Sequence, residues 1–139
     1  LSASFVIGFD YGLKNIGVSI GQVVTRTASP KPSISAKDGV PNWGDIGALI
    51  KEWDINTAVV GLPLNMDGTE SALSIRSRKF ANRLHGRFGL KVHLMDERLS
   101  SREAKMEASA FGHKGNYSKN PVDGIAARII LESWLNQLP

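Results

Sequence analysis

Apolar positions in this chain fall into short runs separated by polar connections containing glycine and proline, and the period of each run predicts an element. Phe5-Val6-Ile7-Gly8-Phe9 is nearly continuous, the pattern of a central strand covered on both faces. The stretch from Asp10 to Asn15 is too short for a crossover, so the next strand returns antiparallel. In that strand Ile16, Val18 and Ile20 share one face, and Gly17, Ser19 and Gly21 the other. So small a face lets a second backbone or a ligand approach closely. Val23 to Ala28 predicts a third strand, closed by Pro30 and Pro32, with residues 29 to 41 as a polar connection.

The period then changes. Pro41-Asn42-Trp43 opens a helix to about Trp53, with Ile46, Leu49, Ile50 and Trp53 at helical spacing. Ile55 to Leu62, around Ala58-Val59-Val60, is a further buried strand, and Gly61 to Gly68 a loop. A long helix follows from about Ser71 to Phe88, its stripe formed by Leu73, Phe80, Ala81, Leu84 and Phe88, with Gly89 as its stop. Val92 and Leu94 belong to a fifth strand ending in Asp96-Glu97-Arg98. Ser100 or Ser101 caps a helix to about Phe111, residues 112 to 120 form a loop, and Asn120 with Pro121 opens a last helix carrying Ile125, Ile129, Ile130 and Trp134. A three-strand antiparallel meander followed by βα alternation predicts an α/β fold: a five-stranded mixed sheet with helices on both faces, in a single domain over residues 1–139.

Composition narrows the chemistry. With no cysteine, disulfides and thiolate metal sites are excluded. No signal-peptide pattern is present, so a reducing cytoplasm is the expected location. No apolar run approaches the roughly 18 residues of a membrane span, so no membrane partner is expected. The net charge of +4 suits a polyanion such as nucleic acid without requiring one. Its distribution says more. Residues 71 to 95 hold six Lys or Arg and no acid, and on a helix Arg76, Lys79, Arg83 and Arg87 form one stripe beside the apolar face. A solvated face is the ordinary reading of such a stripe; the absence of acids turns this one toward phosphate contact. Lys14, Arg98, Arg102, Lys114 and Lys119 add charge elsewhere, and Tyr117 could stack on a base. His85, His93 and His113 have no mutual ligand spacing and carry no assigned chemistry.

The acids converge on the predicted topology. Asp10 ends the first strand, Asp96 and Glu97 end the fifth, and Asp123 lies in the first turn of the last helix. If strands one, four and five run parallel, the first two positions share the carboxyl edge of the sheet, where open α/β sheets bind ligands. A helix packed beside strand one brings Asp123 to the same place. Converging carboxylates repel one another, and a hard divalent cation relieves this; oxygen-only ligands suit Mg²⁺ or Mn²⁺. Two such ions about 4 Å apart activate water and stabilise the leaving oxygen in phosphodiester cleavage. Each acid also has an ordinary reading: an Asx turn for Asp10, the helix dipole for Asp123, and pairing with Arg98 for Asp96 or Glu97. Strand alternation sends only one of Asp96 and Glu97 inward.

Four segments carry a resemblance: Phe9-Asp10-Tyr11-Gly12-Leu13-Lys14-Asn15-Ile16-Gly17-Val18, Gly61-Leu62-Pro63-Leu64-Asn65-Met66-Asp67-Gly68-Thr69-Glu70, Asp96-Glu97-Arg98-Leu99-Ser100, and Val122-Asp123-Gly124-Ile125-Ala126-Ala127. In order and spacing they resemble the YqgF/RuvX family over nearly the whole chain. The resemblance implies an RNase H-like fold similar to the RuvC resolvase. It implies a nuclease acting on the 5′ end of precursor 16S ribosomal RNA, or a Holliday junction resolvase on branched DNA. The family's metal-binding acids map onto Asp10, Glu97 and Asp123. Two departures stand out. The family's lysine two residues before the last acid is here Pro121, with Lys119 the nearest base. RuvC-like enzymes also carry an acid at the end of strand four, where this chain has Gly61-Leu62-Pro63-Leu64 and no acid before Asp67. The second ligand then comes from strand five, with the longer Glu97 favoured over Asp96, or Asp67 folds back.

Three functions compete on this reading. The first is a metal-dependent nuclease acting as a monomer or, on a two-fold junction, as a homodimer. The second is a phosphotransferase, because Asp-x-Gly followed by Ile-Gly-Val also resembles the first phosphate loop of actin-like ATPases and sugar kinases. Those proteins close two such domains around the nucleotide, and this chain supplies one. The third is a nucleic-acid-binding factor without catalysis, for which the basic helix alone suffices.

Overall fold

The computed structural model describes residues 4–96 and 121–139, the first three of the latter by their backbone alone. The elements are β1 (Phe5–Asp10), β2 (Asn15–Gln22), β3 (Thr27–Lys37), β4 (Val40–Pro41), α1 (Trp43–Glu52), β5 (Thr57–Leu62), α2 (Ala72–Phe88), β6 (Lys91–Asp96) and α3 (Pro121–Leu135). The helix expected from Ser100 or Ser101 and the loop after it, with Glu97, Arg98, Arg102, Lys114, Tyr117 and Lys119, lie outside the described residues.

The sheet runs β4-β3-β2-β1-β5-β6. The β1–β2, β2–β3 and β3–β4 pairs are antiparallel, while β1–β5 and β5–β6 are parallel. The fold is thus the expected mixed α/β sheet, with six strands among the described residues where five were expected. The sixth is the two-residue β4, which pairs with Ala36 and Lys37. The larger correction concerns β3. Val23 to Arg26 form a turn, and the strand runs from Thr27 to Lys37, straight through Pro30 and Pro32. Its position at the margin explains this. Ala28 turns its N–H away from β2 and donates it to Glu132 Oε2 at 2.9 Å. Pro30, two residues on, presents its nitrogen to the same outer side, so no ladder bond is lost. The prolines lie in the part of β3 that β4 does not cover rather than at the end of the strand.

The pleat divides the core. Ile7, Phe9, Ile16, Val18, Ile20, Ala58 and Val60 face one side, where Ile46 of α1 and Phe80, Ala81 and Leu84 of α2 cover them. Val6 and Val59 face the other, under Ile130, Leu131 and Leu135 of α3. Both helices of the first side have local reasons to start where they do. Asn42 caps α1 by accepting from Gly44 N at 3.0 Å, and Ser71 and Ser74 form a reciprocal cap on α2, with bonds of 3.0 and 2.8 Å.

The small face of β2 receives a backbone. A Cβ on Gly8 would stand 2.8 Å from Leu131 Cβ and 3.3 Å from the Ala127 carbonyl oxygen, and one on Gly21 would stand 3.0 Å from the side chains of Leu131 and Leu135. Gly8, Ser19 and Gly21 therefore let α3 lie almost directly on β1 and β2. Ser19, fully buried, donates its hydroxyl to the Ala127 carbonyl at 2.8 Å.

Candidate active site at the carboxyl edge of the sheet

Asp10 is the last residue of β1, half-buried, opposite Gly17 in the β1–β2 ladder. By the two-residue period it shares the face of Val6 and Gly8, the face that α3 covers. The direction of α3 follows from its contacts. Leu135 lies against Gly21, Ala127 against Ser19 and Gly8, and Gly124 is 3.1 Å from Pro30 by its notional Cβ. Since Gly21 pairs with Val6 and Ser19 with Gly8, α3 runs antiparallel to β1. Its first turn, which contains Asp123, comes to the edge where β1 ends. Asp123 precedes Ala127 by one helical turn, roughly 6 Å, and Asp10 follows Gly8 by two strand residues, roughly 6.6 Å.

The pleat separates Asp96 from Asp10. β6 pairs Ala58 with Val92, Val60 with Leu94 and Leu62 with Asp96. Ala58, Val60 and Val92 belong to the α1–α2 side, so Asp96 carries the parity of the face opposite Asp10. Met95 has the other parity and packs under α3 with Val59. Glu97 lies outside the described residues. Asp67 is exposed in the loop after β5, and its Oδ1 accepts from both the backbone N (3.0 Å) and the hydroxyl (2.6 Å) of Thr69. This Asx-type arrangement fixes its own loop. Glu70, at the end of that loop, takes a two-pronged ion pair from Arg78, Nε to Oε1 at 2.9 Å and Nη2 to Oε2 at 3.0 Å. The Arg78 guanidinium holds the Glu70 carboxyl below its ordinary pKa and is itself raised by the same bonds. Among the described residues no group of three or more His, Cys, Asp or Glu is close enough to hold a metal; Glu97 and the Asp123 side chain are not among them.

The backbone after Asp10 is fixed from the opposite face. A Cβ on Gly12 would collide with the Asn15 carbonyl oxygen, so the reversal requires glycine. The buried Tyr11 donates its hydroxyl to the Gly39 carbonyl at 2.7 Å, while Gly39 N and Ala36 N donate to the carbonyls of Leu13 and Lys14, each at 2.8 Å. Arg76 closes this arrangement from α2, donating to the Asp38 carbonyl at 2.6 Å and pairing with the Asp38 carboxylate at 3.3 Å. Lys14 stands exposed on the loop so held.

This divides the basic stripe. Arg76 is a latch between α2 and the β3–β4 turn, and Arg87 lies over the Trp43 ring at 4.5 Å. Lys79 and Arg83 are exposed to solvent. Periodicity alone put the four together; the signal for the latch was the Lys37-Asp38-Gly39 turn, where Asp38 adopts φ +49° and Gly39 φ +82°. No helix among the described residues is long and apolar enough to cross a membrane.

Comparison with known proteins gives three findings. A family model described as "RuvX: Holliday junction resolvase" matches residues 4–137. A protein of Saccharophagus degradans named "Putative pre-16S rRNA nuclease" is 55% identical over 139 residues, covering 100% of this chain and 98% of its own length. One of Pasteurella multocida with the same name is 54% identical over 129 residues, covering 93% and 92%. Among solved structures, T. thermophilus RuvC in complex with a Holliday junction substrate aligns with a TM-score of 0.51 at 14% identity, covering 91% of each chain. Fowlpox virus resolvase in complex with Holliday junction DNA aligns at 0.54 and 15% identity, covering 95% of this chain and 97% of its own. At such identities these two establish the fold, that of the RuvC-like, RNase H-type proteins.

Proposed function

This chain belongs to the RuvX, or Holliday junction resolvase, family, and on that premise we propose that it is a divalent-metal-dependent endonuclease that matures the 5′ end of precursor 16S rRNA. It acts as one nuclease domain over residues 1–139, in the cytoplasm, with Mg²⁺ or Mn²⁺. The observation that carries the reading is that Asp10 and the first turn of α3 meet the same edge of the sheet on the same face. The names of the relatives, 55% and 54% identical, favour ribosomal RNA as substrate.

The residues fit a hard cation. The donors are carboxylates, no thiolate exists in the chain, and Asp10 is only half-buried, which leaves room for water and a phosphate oxygen. Asp10, Glu97 and Asp123 are assigned as ligands, with Asp10 central. The parity of β6 disfavours Asp96, whose position falls on the face opposite Asp10, and Glu97 keeps the role that the resemblance implies. Bound metal supplies Lewis acidity, making water nucleophilic near neutral pH and offsetting charge on the phosphate. The protein's own part is orientation. The Tyr11–Gly39–Arg76 contacts hold the Asp10–Asn15 segment still, and Lys14 offers an ammonium to the substrate backbone beside it. Arg98 and Lys119, in chain neighbouring the acids, are assigned to the same phosphates.

Precursor 16S rRNA and a four-way DNA junction, incubated side by side with Mg²⁺ or Mn²⁺, test the substrate. Cleavage of the RNA at the 5′ end of the mature sequence is expected; cleavage of the junction alone transfers the protein to the second substrate, which the family description names.

The divided stripe gives a separate expectation. Lys79→Ala and Arg83→Ala each reduce the slope of log affinity against log salt by roughly one unit. Arg76→Ala leaves that slope unchanged and lowers the melting temperature, since its guanidinium serves the fold. Equal slope changes for all three, measured by fluorescence anisotropy, contradict this division.

A further inference from the structure

We infer that Ser19, a small residue with no chemistry of its own, is a positioning residue for the metal site, setting how far the first turn of α3 stands from Asp10. The inference rests on the reading of Asp123 as a ligand and adds to it a residue from β2.

Ser19 is one of three fully buried polar residues among those described, and the other two, Ser74 and Ser77, bond within α2 or the loop leading into it. Ser19 reaches across layers. Its hydroxyl donates at 2.8 Å to the carbonyl of Ala127, an oxygen in the body of α3. The bond is not needed to satisfy the helix, because a mid-helix carbonyl already accepts from the N–H four residues on. It fixes position instead. A second directional contact, from Ala28 N of β3 to Glu132 Oε2 at 2.9 Å, lies farther along α3 from Asp123; next to Ser19, Gly8 and Gly21 contribute only their absence of side chain, and Leu131 and Leu135 contribute non-directional packing. An apolar helix on a smooth face can slide and rotate at small cost; a hydrogen bond at one point of the face removes that freedom.

The location of that point gives it consequence. Ala127 is one turn from Asp123 on the same face of α3, and Ser19 pairs with Gly8, two residues from Asp10. Ser19 therefore ties β2, at the point where it pairs with the strand that ends in Asp10, to the helix whose first turn contains Asp123, about one turn short of both acids. Movement of α3 by a few tenths of an ångström changes the spacing between two carboxylates that must share one cation, and Mg²⁺ tolerates little departure from its geometry.

The test is a double-substitution cycle on the full chain, read by Mn²⁺ titration calorimetry and by kcat and KM on precursor rRNA. Ser19→Ala is expected to weaken Mn²⁺ binding and lower kcat about tenfold, as loss of a residue supporting metal ligands does, with KM for RNA within about twofold. In an Asp123→Asn background the same change is expected to have no further effect on either quantity. Ser77→Ala is the control: it removes an equally buried hydroxyl, bonded to the Leu73 carbonyl at 2.9 Å, and is expected to lower the melting temperature without changing Mn²⁺ affinity. Unchanged Mn²⁺ affinity in Ser19→Ala, an equal loss in Ser77→Ala, or a Ser19→Ala effect that persists in full beside Asp123→Asn overturns the inference while the site stands. Unchanged affinity in Asp123→Asn alone overturns the site and the inference with it.

Discussion

Asp10→Asn is expected to abolish cleavage while the protein folds and still binds RNA. Residues that merely support metal ligands change affinity or activity 10–100-fold when removed, so loss of the central ligand costs at least about a hundredfold. The substitution keeps the shape of the side chain and one oxygen. It withdraws the negative charge that the proposed ligation of a hard cation requires. Asp10 sits at the end of β1 rather than inside it, and the β1–β2 ladder is formed by backbone groups, which the substitution leaves in place. The melting temperature without metal is therefore expected to move by only a few degrees. The rise in melting temperature on adding Mn²⁺, which follows from binding to the native state alone, is expected to vanish. Full cleavage by Asp10→Asn, or an undiminished Mn²⁺ shift, removes Asp10 from the centre of the site.

What made the position of Asp10 at the end of β1 legible in the sequence was a continuous apolar run followed by a reversal too short for a crossover. Those two features fixed β1, β2 and their antiparallel pairing, because strand geometry leaves no alternative at that spacing. The parallel β5 and β6 were legible for a similar reason: each apolar run follows a helical stripe. The path of β3 was not. Pro30 and Pro32 read as terminators because their missing N–H is costly inside a sheet, and nothing local reveals that the strand lies at the margin, where it costs little. The same limit applies to Asp96 and Glu97. Which face Asp96 takes depends on the register of β6 against β5, a long-range fact. The small face of β2 was legible as an invitation to close approach, without the identity of the visitor; α3 fills it.

The basic stripe shows how one period can hide two roles. Arg76, Lys79, Arg83 and Arg87 share a helical face, yet Arg76 meets Asp38 from a segment 38 residues earlier and Arg87 meets Trp43. Both partners are distant in sequence, so a charge pattern along α2 alone could not separate the latch from the solvent-exposed Lys79 and Arg83. The distinction ties fold to function, since the latch on Asp38 and Gly39 also restrains the segment that follows Asp10.

Phe80→Ala is expected to be the most destabilising single change, and to lower activity although Phe80 lies on the opposite face of the sheet from Asp10. Phe80 is 2% exposed and central to an aromatic cluster: Phe9 meets it edge-on at 5.3 Å, Tyr11 at 5.0 Å, and Trp43 stacks at 5.8 Å. Truncating a buried phenylalanine costs about 3–5 kcal/mol, from lost transfer energy and the cavity left behind. Against a total of roughly 5–15 kcal/mol for a domain, that is a large fraction, equivalent to a fall of roughly 10–20 °C in melting temperature. The effect on activity has a specific route. Phe9 and Tyr11 flank Asp10 in the chain, and both rings rest on Phe80. With that support gone, Tyr11 loses the packing that aims its hydroxyl at the Gly39 carbonyl, and the backbone carrying Asp10 gains freedom from below. Phe80→Leu refills most of the volume without a ring, so it is expected to recover most of the stability but less of the activity. Thermal denaturation and kcat measured for both variants, well below the lower melting temperature, separate the two effects. If kcat instead recovers fully with stability in Phe80→Leu, the aromatic contacts serve only the core, and the orientation of Asp10 is set entirely on the side of α3.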